Sequence, residues 1–287
     1  MTHPRGYNAS HMITARIEYL GKRFTDVLVG TGEFTLFCVY AAGWAIRGGG
    51  AFGRFRLLLP QLFSIGTKSM PVVMLVGAFV GMVFGVEAFD QFKAIGQEAR
   101  LGGIIAISVL KQIGPVLAAV MIAGRVGGAI SAELGTMRVT EQIDALRVMG
   151  TDPLAYLVVP RVLACLIMVP VLTVFSDLLG ILGGWFVIVR GYGVDNGEYW
   201  AFSASFVGPW DIFTGLGKGL FFGLIIGLIS CYKGFNCGAG ASGVGRAATD
   251  AFVTSFIAII ISNFFLATLF KNLYQLIWGS GGVTAFG

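Results

Sequence analysis

The sequence predicts an all-α membrane protein: interfacial N-terminal helices, then five transmembrane helices, with a cytoplasmic helix between the second and third. Three observations carry that expectation. Of 287 residues, 56% are hydrophobic and only 12% charged, with a mean hydropathy of +0.81, whereas a soluble domain carries about 25% charged residues. Five apolar segments are each long enough to cross a hydrocarbon core of roughly 30 Å, which takes about 20 helical residues. Basic residues also divide unevenly between alternate loops. The 43 glycines follow no three-residue collagen period and suit membrane helices whose backbones approach closely.

The elements follow in chain order. The first twenty residues lack the apolar core and small-residue cleavage site of a secretory signal. Arg16, Lys22 and Arg23 alternate with Ile17, Tyr19, Leu20 and Phe24, the pattern of a helix lying in the interface with its cations towards head groups. The stretch FTLFCVYAAGWAI, residues 34–46, has only thirteen residues between Glu33 and Arg47. That is short for a span, so it too is placed in the interface; a sixth span tolerating Glu33 is the alternative. Transmembrane helices are expected at 61–85, 101–129, 162–189, 212–230 and 251–270.

With the N-terminus cytoplasmic, the inner segments 1–60, 125–161 and 233–250 hold 7, 4 and 2 Lys or Arg, while the outer loops 86–100 and 190–211 hold 2 and 1. Thirteen against three puts the C-terminus outside. The formal charge of +5 therefore reflects membrane orientation and implies no nucleic-acid partner.

Within the spans, Gly77, Gly81 and Gly85 repeat every fourth residue, as do Gly215, Gly219, Gly223 and Gly227, and Gly124 and Gly128 end the second span. Such spacing gives a flat helix face for close packing. Pro71, Pro115 and Pro170 each remove a backbone donor, and Gly114–Pro115 predicts a bend. Lys111, Gln112, Asp177 and Lys218 are the polar groups inside spans. Intramembrane ionisable residues mark pathways or buried helix contacts, and both readings stay open. Arg125 and Glu133 flank a small-residue segment at the cytoplasmic mouth.

No catalytic or metal site is expected. Cys38, Cys165, Cys231 and Cys237 form no CxxC pair, and His3 and His11 both lie in the N-terminal tail. GAGASG, residues 238–243, matches GxGxxG, but no strand precedes it, so it reads as a flexible turn. No GxxxxGK[ST] loop occurs, so ATP binding by this chain is not expected.

The charged stretch between the second and third spans contains TEQIDALRVM. Thr140 suits a helix N-cap, Glu141 and Asp144 the first turn, Arg147 the last turn, and Gly150 and Pro153 a terminator. Val139, Ile143, Leu146 and Met149 make one apolar stripe. A helix of about ten residues is roughly 15 Å long and cannot span. Its stripe fits either a partner's groove or the chain's own bundle and lipid head groups.

The segment AGRVGGAISAELGTMRVTEQIDALRVMGTDPLAYLVVPR, residues 123–161, resembles the signature of MlaE-like permeases, the membrane subunits of MCE-associated ABC phospholipid transporters. LLLPQLFSIGTKSMPVVMLVGAFVGMVFG, KQIGPVLAAVMIAGR and GVGRAATDAFVTS resemble the same family's first, second and last spans. The resemblance implies a permease domain at 57–271, preceded by a tail and interfacial helices at 1–56 and followed by a short periplasmic tail at 272–287. It implies a bacterial inner-membrane homodimer, two cytoplasmic ABC ATPases that bind the ATP and Mg, phospholipid as cargo, and a hexameric MCE-domain protein on the periplasmic side. It assigns the ATPase-coupling helix to Val139, Thr140, Glu141, Gln142, Ile143, Asp144, Ala145, Leu146, Arg147, Val148 and Met149, with Glu133 and Arg138 at its approach. It places a lipid cavity near Met74, Ala78, Met82, Leu110, Lys111 and Gln112. Family members commonly carry Arg-Glu-Leu-Gly-Pro where this chain has Lys111 to Pro115, so the family's acid is here the amide Gln112. An ion-coupled carrier and a non-transporting scaffold are the rival readings; the first needs a proton or ion relay that Asp177 alone does not provide.

Overall fold

A computed structural model describes residues 9–47 and 55–278. Every regular element among them is helical. The chain opens with α1 (Ala9–Arg47), α2 (Phe55–Ile65) and α3 (Met70–Ala94), and a short 3-10 turn follows at Glu98–Arg100. The next long stretch consists of α4 (Leu101–Ser108), α5 (Gly114–Ile122) and α6 (Gly128–Val139), joined by π-helical turns at Val109–Ile113 and Ala123–Gly127. A short α7 (Gln142–Val148) precedes a third π turn, Leu154–Val158, and the long α8 (Val159–Trp185). A fourth π turn, Phe186–Gly191, leads to α9 (Asn196–Phe206), α10 (Pro209–Phe235) and α11 (Gly240–Trp278).

Among the described residues, six helical stretches are long and apolar enough to cross a membrane. Five of them, Arg56–Ala94, Glu98–Val139, Leu154–Gly191, Pro209–Phe235 and Gly240–Ile277, each contain one expected span. The sixth is Leu28–Ile46, so the thirteen-residue argument for residues 34–46 is corrected. The helix runs unbroken through Glu33, and Leu28 and Val29 add to its apolar length. Length and composition therefore admit the sixth span. The interfacial pattern at Arg16, Ile17, Tyr19, Leu20, Arg23 and Phe24 falls on side chains outside the described set.

The helix α8 lies at the centre, packed against α3 on one side and α10 on the other. Both contacts use glycine. Gly77, Gly81 and Gly85 are buried on the α8-facing side of α3. A Cβ on Gly81 would overlap the carbonyl of Gly180, so only glycine permits this backbone approach. Gly219, Gly223 and Gly227 of α10 meet Pro170, Cys165 and Val162 of α8 in the same manner. Close backbone packing is the main attraction between helices when lipid is as apolar as the side chains. The outward stripe of α3, Val72, Leu75, Phe79, Val83 and Val86, is correspondingly exposed and wholly apolar.

At one end of the bundle lie α7, the α2–α3 break and the turn between α10 and α11. Arg125 Nη1 donates to Ser69 Oγ (2.8 Å) and the Cys237 thiol to the Gly135 carbonyl (3.4 Å), tying these pieces together. The GAGASG turn is shorter than expected, because α11 begins inside it at Gly240, whose φ is +73°. At the opposite end α9 packs on α4. Asp195 caps α9 by accepting the Glu198 N–H (3.0 Å), and Tyr199, fully buried, donates to the Ile181 carbonyl (3.3 Å).

Candidate functional site

Two places in the fold concentrate polar chemistry. The first is the π turn Val109–Ile113 inside the second long stretch. Pro115 has no N–H, so the carbonyl four residues back, that of Lys111, loses its helical donor. Lys218 of α10 takes over: its Nζ donates to the Lys111 carbonyl at 2.9 Å and also to Gln112 Oε1. Lys218 is 1% exposed, so these contacts replace its hydration. Gly215, one turn before Lys218, lets α10 approach the Leu110 carbonyl directly.

Lys111 points its own ammonium to Asp211 near the start of α10, with Nζ–Oδ1 at 2.7 Å. Asp211 Oδ2 accepts the Gly208 N–H at 2.8 Å, so one carboxylate both caps α10 and holds Lys111. Gln112 cannot neutralise Lys111, and Asp211 supplies the acid instead. Asp211 and Lys218 are seven residues apart, two helical turns, and so share one face of α10. That spacing is legible in the sequence, but Asp211 sits just outside the apolar run and escapes a search of the spans for charge.

The cluster thus holds two cations, Lys111 and Lys218, against the paired Asp211. Asp177 of α8 lies nearby in the fold, packed against Gly114 where a side chain would collide with its carboxyl. It is 6% exposed, and its Oδ1 makes no hydrogen bond among the described residues.

Leu110, Lys111 and Gln112 therefore come together in one turn, which packs chiefly against α10 and α8. Met74, Ala78 and Met82 are half-buried along α3, and the Ala78 backbone abuts Gly183 of α8. A groove of about 470 Å³ lies between α10 and α11, lined by Phe221, Ile225, Ala258, Ile261, Phe265 and Leu266 together with Ser262.

The second place is the charged segment at the α7 end. Here the expected ten-residue helix is corrected. The preceding helix α6 continues to Val139, Thr140 and Glu141 form a turn, and α7 is the seven residues Gln142–Val148. Thr140 is no N-cap: its hydroxyl donates back to the Thr136 carbonyl at 2.9 Å. Glu141 takes the N-cap position with φ +61°, a left-handed conformation costly for a side-chain-bearing residue. The predicted stop holds. Gly150 adopts φ +72°, its N–H donates to the Arg147 carbonyl, and the Thr151 N–H donates to that of Leu146.

The apolar stripe is divided. Ile143 is fully buried in the main core and Leu146 packs against it. Val139 (39%), Val148 (89%) and Met149 (69%) are exposed. Folding back on the chain's own bundle and presenting a free apolar edge are thus both realised, by different residues. Asp144 bridges Arg147 (2.9 Å) and Arg138 (3.7 Å), bracing the α6–α7 turn. Gln142, Ala145 and Glu141 are exposed. At the approach, Glu133 Oε2 accepts from Arg161 Nη2 at 3.2 Å, a partner that apolar patterning could not name.

The chain's similarity to known proteins runs through both places. The family model described as Permease MlaE matches residues 58–269. A probable ABC transporter permease protein of Rickettsia bellii is 40% identical over 251 residues, 88% of this chain and 96% of that one. One from Synechocystis sp. is 45% identical over 214 residues, 75% of this chain and 81% of its own. The intermembrane phospholipid transport system permease protein MlaE of Haemophilus influenzae is 33% identical over 261 residues, covering 90% and 98%.

Proposed function

The chain belongs to the MlaE permease family, and from that premise we propose that it is the phospholipid-moving permease subunit of an ATP-driven envelope transporter that supports outer-membrane lipid asymmetry. The observation carrying this reading is the break in the second long stretch. There Lys111 and Lys218 sit in a largely apolar bundle, Asp211 is the acid paired with Lys111, and Gln112 and the buried Asp177 lie beside them. Fixed positive charge beside apolar walls complements an amphiphile with an anionic head and acyl tails. The relative from Haemophilus influenzae, a phospholipid transport permease by name, supports the same cargo.

In this reading two copies of the chain meet to complete a lipid cavity lined by the six residues on α3 and the π turn. Two cytoplasmic ABC ATPases bind ATP and Mg and dock on the α7 end, at Val139, Val148, Met149, Glu141 and Asp144. A hexameric MCE-domain protein receives lipid on the periplasmic side of the bacterial inner membrane. Residues 57–271 form the permease unit, whose five spans start on the cytoplasmic side and end outside, before residues 272–287. Catalysis resides in the partner ATPase.

The test is the lipid bound by purified protein. Native mass spectrometry should find copurified phospholipid, and Lys111→Gln should reduce its occupancy severalfold while the fold is kept. Equal occupancy in the variant removes the cluster from lipid recognition. A purified complex carrying no phospholipid, but transporting ions in vesicles, favours the ion-coupled carrier. One that binds its cytoplasmic partner and moves neither is a scaffold.

A further inference from the structure

We propose that Glu133 and Arg161 form the strut that carries displacement of α7 into the central helix α8, and so couples partner ATP hydrolysis to lipid movement. The proposal rests on the functional reading above. Arg161 is a positioning residue in it, acting through the helices it joins.

The mechanical problem is set by the connections of α7. Its chief contact with another element is the helix before it, α6, through the turn at Thr140 and Glu141. A force on α7 therefore enters α6 and the core around Ile143. Along the chain, α8 is reached only through residues 149–153, where Gly150 has a positive φ, and then through the π turn Leu154–Val158. Such a connection transmits a push poorly, because loop torsions absorb it.

One guanidinium bridges the gap. Arg161, near the start of α8, donates through Nη2 to Glu133 Oε2 on α6 (3.2 Å) and through Nη1 to the Leu157 carbonyl in the π turn (2.9 Å). A single planar fork thus fixes α6, the π turn and α8 to one another, a geometry that a lysine point charge does not reproduce. The pair spans 28 positions in sequence and encloses the whole α7 segment.

Its burial argues that the contact is more than surface decoration. Arg161 is 8% exposed and its Nε has no partner among the described residues. A buried cation costs stability that an apolar residue at the same place does not. Glu133, by contrast, is 57% exposed at its side chain, at the edge facing the α7 end. The exposed carboxylate on α6 is therefore joined to the buried base of α8. The helix α8 in turn contacts α3, α5 and α10, the last carrying Lys218 and Asp211. The rival route runs from α6 directly into α10 and α11, against which it also packs.

The experiment uses the full transporter in proteoliposomes and reads ATP hydrolysis and transfer of labelled phospholipid together. Glu133→Gln, the milder variant because Glu133 is exposed, should keep ATPase copurification and hydrolysis within about twofold of wild type. Transfer per ATP should fall at least tenfold. Arg161→Gln should show the same split, and the double variant should be no worse than either single. The exchanged pair Glu133→Arg with Arg161→Glu should recover part of the transfer. Wild-type transfer per ATP in Glu133→Gln overturns the strut and favours the α10–α11 route. Loss of ATPase copurification overturns it in favour of a docking role. If wild type itself hydrolyses ATP but moves no phospholipid, the underlying functional reading fails instead.

Discussion

Replacing Lys218 by Met removes the ammonium while keeping most of the volume of its stem. Two acceptors lose their donor: the Lys111 carbonyl at 2.9 Å and Gln112 Oε1. The carbonyl is the costlier loss, because Pro115 cannot supply the helical N–H in its place. An orphaned buried polar group costs about 1–3 kcal/mol. Polar contacts between membrane helices run nearer 0.6 kcal/mol on average, and relief of Lys218's own desolvation offsets part of the loss. A net destabilisation of about 1–2 kcal/mol is expected, which lowers a thermal midpoint by roughly 2–8 °C. Pro115→Ala sharpens the test, since alanine at this position restores an N–H four residues after Lys111. The double variant should therefore recover at least half of the midpoint lost in Lys218→Met. Thermal unfolding in detergent, read by tryptophan fluorescence with tertiary structure checked at low temperature, makes the comparison. An unchanged midpoint in Lys218→Met, or no recovery in the double variant, would refute the claim that lysine replaces the donor proline lacks.

Further outcomes follow from other contacts. Gly81→Leu forces a side chain into the Gly180 carbonyl, so α3 must separate from α8. Overpacking of this kind costs about 1–3 kcal/mol or more, and lowered yield of folded protein with a reduced midpoint checks it. Val148→Asp and Ile143→Asp should differ in kind. Val148 is 89% exposed, so its variant should fold normally but copurify less ATPase. Ile143 is fully buried, so its variant should unfold at a lower temperature even without the partner. Glu141→Lys combined with Asp144→Lys reverses charge at the α7 edge and breaks the Asp144 bridges to Arg138 and Arg147. Membrane insertion should persist while ATPase copurification falls several-fold, and the gap from wild type should narrow at higher salt.

The long apolar runs, the glycine faces and the compact charged segment are legible in the sequence because each depends on spacing along a single helix. Gly77, Gly81 and Gly85 must share one side of a helix, and that side meets α8. Gly150 stops α7 for the same local reason. What escapes the sequence depends on relations between helices. Lys111 is visible as an intramembrane charge, but its acid comes from Asp211, 100 positions away. Glu133 and Arg161 are likewise joined by the turn that α7 makes. The bounds of α7 differ from expectation for a local energetic reason. Thr140 satisfies its hydroxyl within α6, and the bend is made one residue later by Glu141 in a conformation its side chain disfavours. A charge at Glu33 suggests the edge of an apolar segment, yet an exposed carboxylate on a 39-residue helix does not break its backbone.

The central claim is that this chain is the path by which ATP hydrolysis moves phospholipid. It is tested most directly by reconstituting the purified transporter, permease with its ATPase, in vesicles bearing fluorescent phospholipid and following transfer to acceptor membranes. Transfer should require hydrolysable ATP, and Lys111→Gln should slow it several-fold at an unchanged level of assembled complex. Transfer at the same rate without ATP, or none with ATP in a fully assembled and hydrolysing complex, would contradict the account.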